Sequence, residues 1–165
     1  MNFKTTLVAA NLGALALFAS LSVQAAPITH TIQLIADVPE VDFYVEPVDA
    51  SWLPVEQRLD WLPLTSDLDK WSKQFDVKHS AGSINAHLDG GLGKLYGGTN
   101  VIDLVVKFNG VTLTAVSAPV VAGGAAATNL RTNMEINAVK PATGGFKPAK
   151  YTGNVAVVFD AVIVP

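Results

Sequence analysis

Alternation is the feature that most limits what this chain can fold into. From Ile28 to Val38 it reads Ile-Thr-His-Thr-Ile-Gln-Leu-Ile-Ala-Asp-Val. Ile28, Ile32, Leu34, Ala36 and Val38 are apolar and fall on even positions, while Thr29, Thr31, Gln33 and Asp37 are polar and fall on odd ones; His30 and Ile35 break the pattern. Successive side chains of a strand point to opposite faces, so this is a strand with one apolar face. Pro27 and Pro39 bound it, because proline cannot donate to a ladder. A strand of this kind needs a sheet to receive it. Whether that sheet belongs to its own molecule or to a neighbour is the question on which function turns.

The residues before the strand are of a different kind. Lys4 precedes an Ala/Leu-rich run from Leu7 to Val23, which ends in Val23-Gln24-Ala25, with small residues at −3 and −1. That pattern is a secretory signal peptide over residues 1–25, cut after Ala25. Removing 25 of the 165 residues leaves 140, enough for one domain with a core. Loss of Lys4 takes the net charge from −3 to about −4, which suits neither a nucleic-acid partner nor an anionic membrane face. The chain has no cysteine, so an exported protein of this sequence depends on packing or assembly rather than on disulfides, and thiol chemistry is excluded.

Alternation continues along the chain. Val41 to Val45 reads as a short strand. Asp49 to Asp69 has no clean period and reads as a long ordered loop with one helical turn near Pro54 to Leu59. Lys70 to His79 and Ser83 to Leu88 alternate again, the second with Ile84, Ala86 and Leu88 on one face. Val101 to Phe108 and Val111 to Val116 flank Asn109-Gly110, the strongest short-range hairpin signal. Ala118 to Thr128 reads either as a short helix or as a surface loop. Leu130 to Val139 is a further strand, with Leu130, Met134 and Ile136 opposite Arg131, Asn133 and Glu135. Lys140 to Lys150 is a long turn. In the closing run, Asn154 to Val164, one face carries Val155, Val157, Phe159, Ala161 and Ile163. About eight short strands, no long helix and turns at regular spacing describe an all-β sandwich.

The chain shows no constellation that would carry catalysis. His30, His79 and His87 fall on three separate strands, His87 on a polar face and His79 within local reach of Asp76 or Ser80. There is no triad spacing, no paired-histidine metal motif and no calcium loop, so no metal or other cofactor is expected. Asp67 and Asp69 are read as solvated carboxylates. The Asp89 to Lys94 loop lacks the Gly-Lys-Ser/Thr of a phosphate cradle and is turn chemistry. Trp52, Trp61 and Trp71 admit two readings. They cap one end of the core, as large side chains usually do, or they form a platform on which sugars stack.

In order and spacing these pieces resemble the major pilins of the alternate chaperone–usher pathway, the colonisation-factor-antigen type of fimbriae. The resemblance is carried by Ile28 to Pro39, Asp76-Val77-Lys78-His79, the Val101 to Val116 hairpin, Glu135-Ile136-Asn137-Ala138 with Lys140-Pro141, and Tyr151-Thr152-Gly153-Asn154-Val155. The Trp-rich Asp49 to Trp71 segment departs from it. The resemblance implies an incomplete immunoglobulin-like sandwich (residues 40–165) that lacks its last strand. A neighbour's N-terminal extension (residues 26–39) fills the gap beside the C-terminal strand by β-augmentation. Ile28, Ile32, Leu34, Ala36 and Val38 are then the donor residues, and Val155, Val157, Phe159, Ala161 and Ile163 line the acceptor groove and chaperone-binding strand. The implied partners are identical subunits in a head-to-tail homopolymer, a periplasmic chaperone, an outer-membrane usher and a tip adhesin, with the product an extracellular fimbrium. The alternative is a monomeric secreted carbohydrate-binding sandwich in which Ile28 to Val38 completes its own sheet. A tip adhesin is disfavoured, since 140 residues leave no room for a second domain.

Overall fold

The computed structural model of the chain describes residues 30, 32–37 and 43–163. The signal-peptide reading, Ile28, Val38, the start of the Val41 to Val45 strand and Val164 lie outside them. Contacts divide the chain after Asp37 into two units. The second is a sandwich of two antiparallel sheets.

The larger sheet has the order β1-β4-β10-β7-β6. Its strands are β1 (Phe43–Pro47), β4 (Trp71–His79), β10 (Leu130–Ala138), β7 (Asn100–Phe108) and β6 (Lys94–Gly97), and the short β8 (Val111–Thr112) pairs with β7. The smaller sheet has the order β11-β5-β9, from β11 (Ala156–Ile163), β5 (Gly82–Asp89) and β9 (Ala118–Val121). A separate hairpin joins β2 (Trp61–Leu62) and β3 (Asp67–Leu68). The helix α1 (Gly123–Ala126) is a single turn after β9, so Ala118 to Thr128 is part strand and part helix.

Period-two patterning decides which face of each strand is buried. Phe75, Val77 and His79 of β4, Ile84, Ala86 and Leu88 of β5, Ile102, Leu104, Val106 and Phe108 of β7, and Met134 of β10 all point inward. Edge-to-face rings then tie the layers together. Phe75 meets Phe108 at 5.7 Å between centroids, and Phe108 meets Phe159 of β11 at 4.8 Å, so one aromatic line runs from the larger sheet to the smaller.

The Asn109-Gly110 turn forms as its sequence requires. Both residues have positive φ, 51° and 77°, the geometry of a two-residue hairpin whose twist matches its strands. Asn109 also brackets the core from its side chain. Its Nδ2 donates to Val120 O at 2.7 Å, and its Oδ1 accepts from Thr132 Oγ1 at 2.9 Å. The second arm is shorter than the sequence suggests. Leu113 N still donates to Val106 O of β7 at 2.9 Å, and then Thr114 O accepts from Leu88 N at 2.8 Å, crossing to the other sheet.

Other expectations are corrected. The helical turn lies at Ala50–Trp52, not near Pro54 to Leu59: Asp49 caps it by accepting from Ser51 N at 2.9 Å, and Pro54 has no N–H with which to continue it. The hairpin β2–β3 stands where only loop was expected, and the strand β6 occupies a stretch to which no element was assigned. His79 is buried and donates from Nδ1 to Ser83 O at 3.0 Å, with Phe43 edge-on to its ring at 5.6 Å. Asp76 instead takes a two-pronged bond from Arg131, 2.8 Å at each oxygen, which holds its carboxyl below the usual carboxylate range.

The Tyr151-Thr152-Gly153 stretch explains how the chain enters β11. Tyr151 lies over Gly97 and donates from its hydroxyl to Lys147 O at 2.9 Å. Thr152 exchanges two backbone hydrogen bonds with Tyr96, 2.8 and 3.0 Å. A Cβ on Gly153 would collide with Lys94 O, a backbone atom that cannot move aside. Gly153→Ala is therefore expected to destabilise the sandwich by about 1–3 kcal/mol in equilibrium denaturation. Gly124→Ala in α1, where a Cβ would meet open space, should be neutral or stabilising. Equal losses from both would remove the packing argument.

Candidate functional site

The C-terminal strand β11 is the outer strand of its sheet. It pairs with β5 along its whole length, from Ala156↔Asp89 to Ile163↔Gly82, and among the described residues no strand pairs with its other edge. In an antiparallel strand alternate residues direct their N–H and C=O groups to opposite sides, so the free side presents a row of unpaired backbone groups.

Register fixes which side chains of β11 face inward. Val157, Phe159 and Ala161 stand opposite Leu88, Ala86 and Ile84, and directly opposed residues share a face. Val155, Val157 and Phe159 pack half-buried against the core. Ala161 and Ile163 share their parity but lie exposed, Ile163 at 66 %. Val158 and Asp160 face outward, where Asp160 accepts from Ser117 Oγ at 3.2 Å and lies 3.4 Å from His87 Nδ1. The five residues expected to line one face thus divide into three that reach the core and two that nothing covers.

Beside these three the sandwich is open. A cavity of about 510 Å3 is lined by Val155, which immediately precedes β11, by Val157 and Phe159 of β11, by Trp71, Phe75, Met134 and Ile136 of the larger sheet, and by Trp52, Leu53, Val55 and Leu59. Trp71, Phe75 and Met134 are core residues, so the cavity opens the interior itself. Its contribution from the segment after Asp49 was not legible from sequence, because those apolar residues follow no regular period. Neither was that of Met134 and Ile136, which a strand pattern marks as core but not as groove.

The three tryptophans are not brought together. Trp52 and Trp71 meet edge-on at 5.1 Å, and Trp52 also meets Phe75 at 6.1 Å. Trp71 is buried, and its Nε1 donates to Gln57 Oε1 at 3.0 Å. Trp61 does not cap the core as expected. It stands on β2, 48 % exposed, with its ring edge-on to Phe146 at 6.2 Å. The two-residue strand that carries it pairs only with β3, outside both larger sheets, among the described residues.

The described part of the segment expected to act as a donor is exposed. Residues 32–37 adopt neither helix nor strand, and Ile32, Leu34 and Ile35 are 78, 88 and 91 % accessible. Ala36 is likewise exposed. Among the described residues, no ion cluster of three or more His, Asp or Glu side chains occurs, and no helix is long and apolar enough to cross a membrane.

A family model described as CS1 type fimbrial major subunit matches residues 28–160. Among solved structures the chain is similar to the CooA pilin subunit from enterotoxigenic Escherichia coli, with a TM-score of 0.55 and 20 % identity over 74 % of this chain and 87 % of that one. At that identity the likeness speaks for the fold. None of the curated proteins matches the chain.

The contrast between the tryptophans is measurable. Trp71→Ala removes a buried ring and leaves Gln57 Oε1 without its donor, so it should cost about 3–5 kcal/mol in equilibrium unfolding. Trp61→Ala, half in water already, should cost no more than about 1–2 kcal/mol. A larger loss at Trp61 than at Trp71 would contradict the packing described here.

Proposed function

The chain belongs to the family of CS1 type fimbrial major subunits, and we propose that its copies join by lending each neighbour the Ile28 to Val38 strand. It is a structural subunit of an extracellular surface fimbrium and polymerises with identical subunits. In the proposed mechanism residues 1–25 direct export and are removed. Residues 26–39 are the donor extension, and residues 40–165 are the receiving sandwich. A periplasmic chaperone holds the groove before assembly, an outer-membrane usher exchanges it for the donor, and the shaft carries a tip adhesin that supports attachment to host surfaces.

One observation carries this reading. A strand with a free backbone edge borders an opening into the core, in a chain whose exposed apolar segment pairs with no strand of its own among the described residues. A strand rises ~3.3 Å per residue, so Ile28 to Val38 spans roughly 33 Å, enough to run the length of β11. Burying five apolar side chains at about 1.5–3 kcal/mol each would contribute on the order of 10 kcal/mol, and the added strand completes the ladder. A contact of this head-to-tail kind does not close on itself and generates a filament. The rival, a secreted monomer that completes its own sheet, leaves the exposure of Ile32 and Leu34 without a purpose.

Register makes the proposal testable. A donor slipped by one residue would present Thr29, Thr31, Gln33 and Asp37 to the groove. Leu34→Asp should leave the subunit's fold and chaperone complex intact, fail as a donor, and interrupt chain growth when mixed with wild type. Thr31→Asp should polymerise nearly normally. Polymer ladders in unboiled gels of periplasmic extracts give the readout, and full ladders from both variants would show that this strand does not link subunits.

The acceptor side has its own test. Val157→Asp places a carboxylate on the core-facing side of β11 and should abolish both chaperone binding and polymerisation, since an unpaired buried charge costs several kcal/mol. Val158→Asp, on the outward face, should retain both. Co-purification with the chaperone distinguishes them, and the face assignment fails if the two behave alike.

A further inference from the structure

The segment from Trp52 to Leu59 is held rigidly in place, yet it keeps two apolar side chains in water. Val48 N donates to Gln74 O at 2.9 Å, anchoring the segment to β4, and Asp49 caps the turn that follows. Gln57 closes the loop on itself. Its Nε2 donates to Trp52 O at 3.2 Å and Val55 O at 3.0 Å, while its Oε1 accepts from the buried Trp71. Trp52 is set edge-on against Trp71 and Phe75. Leu53 and Val55 are only partly covered by this order, each remaining 58 % exposed. Both line the cavity that Val155 and, from β11, Val157 and Phe159 also line.

We infer that Leu53 and Val55 form a second flank of the acceptor groove and contact the donor strand of the neighbouring copy on the side away from β11. The inference rests on the donor-strand reading above and adds a contact surface to it. Three observations point to that occupant. The two side chains share one continuous cavity with the strand whose backbone edge is free. The chain itself supplies an exposed apolar segment of matching character in Ile32, Leu34 and Ile35. A loop fixed in advance by Gln57 and Trp52 loses little conformational freedom on contact, which favours its use as a preformed binding surface. The flank also gives Ile35 a purpose, because alternation leaves that side chain off the face directed to the core. On this account the Trp-rich segment sets which donor strands a subunit accepts, as a specificity element beside the general ladder of β11.

The absence of cysteine gives a background-free test in the full-length protein. Single cysteines are placed in the donor at Ile32, Leu34 or Ile35, each combined with Val55→Cys, Leu53→Cys or, as reference, Val157→Cys in the same chain. After mild oxidation, boiled SDS gels without reductant reveal disulfide-linked ladders between subunits. Ladders from Val55→Cys or Leu53→Cys with at least one donor position support the inference. Ladders from Val157→Cys alone overturn it while leaving donor-strand exchange standing. No ladder from any pair overturns both. A second measurement does not depend on cysteine geometry: the double variant Leu53→Ser, Val55→Ser should yield folded subunit at wild-type levels, while the temperature at which its polymers fall apart in SDS shifts downward. An unchanged dissociation temperature also overturns the inference.

Discussion

Among the described residues β11 pairs with a strand on one side only, and the rest of the structure follows from that asymmetry. The strand is not loosely attached. It pairs with β5 through eight register positions, and Phe159 reaches across the layers to Phe108. The opening therefore does not arise from poor packing. It lies between the unpaired edge of β11 and the side chains of Trp71, Phe75, Met134 and Ile136. A core left accessible in this way, beside an edge that pairs with no strand among the described residues, is what the proposed donor segment would fill in backbone and side chain together.

Much of this was legible in the sequence, for a physical reason. Side-chain direction in a strand depends on parity alone, so Ile84, Ala86 and Leu88, or Val155, Val157 and Phe159, can be assigned to a face without knowing the fold. Asn109-Gly110 likewise fixes its own backbone through φ preference. What escaped depends on partners distant in the chain. β6 is four residues long and exists because β7 offers Lys94 to Gly97 an edge, which no local period announces. Parity also could not say that Ala161 and Ile163 lie uncovered while Val157 and Phe159 do not, since that depends on what stands opposite. Trp61 was misplaced because size predicts burial on average, but a two-residue strand outside both sheets offers a large ring nowhere to go.

The Trp-rich segment shows how one stretch serves the interior and the surface at once. Trp52 and Trp71 close the end of the core with their rings. The backbone between Trp52 and Gln57, curled by hydrogen bonds to the Gln57 amide, turns Leu53 and Val55 outward. With no cysteine in the chain, such side chain–backbone bonds, the Arg131–Asp76 fork between β10 and β4 and the aromatic line through Phe108 are among the fastenings that hold loop, strands and layers together.

The side chain of Asn109 bears on chemical ageing. Asparagine followed by glycine loses ammonia readily, because the unhindered glycine N–H can attack the side-chain carbonyl carbon. That attack requires the amide to swing back over its own backbone. Here both ends of the amide are engaged, Nδ2 with Val120 O and Oδ1 with Thr132, and the swing would break both bonds. Were the reaction to occur, the resulting carboxylate would set an oxygen against the Val120 carbonyl with no proton between them. The contacts that join this hairpin to β9 and β10 therefore also oppose the decay of its most labile residue, a useful property in an extracellular fimbrial subunit.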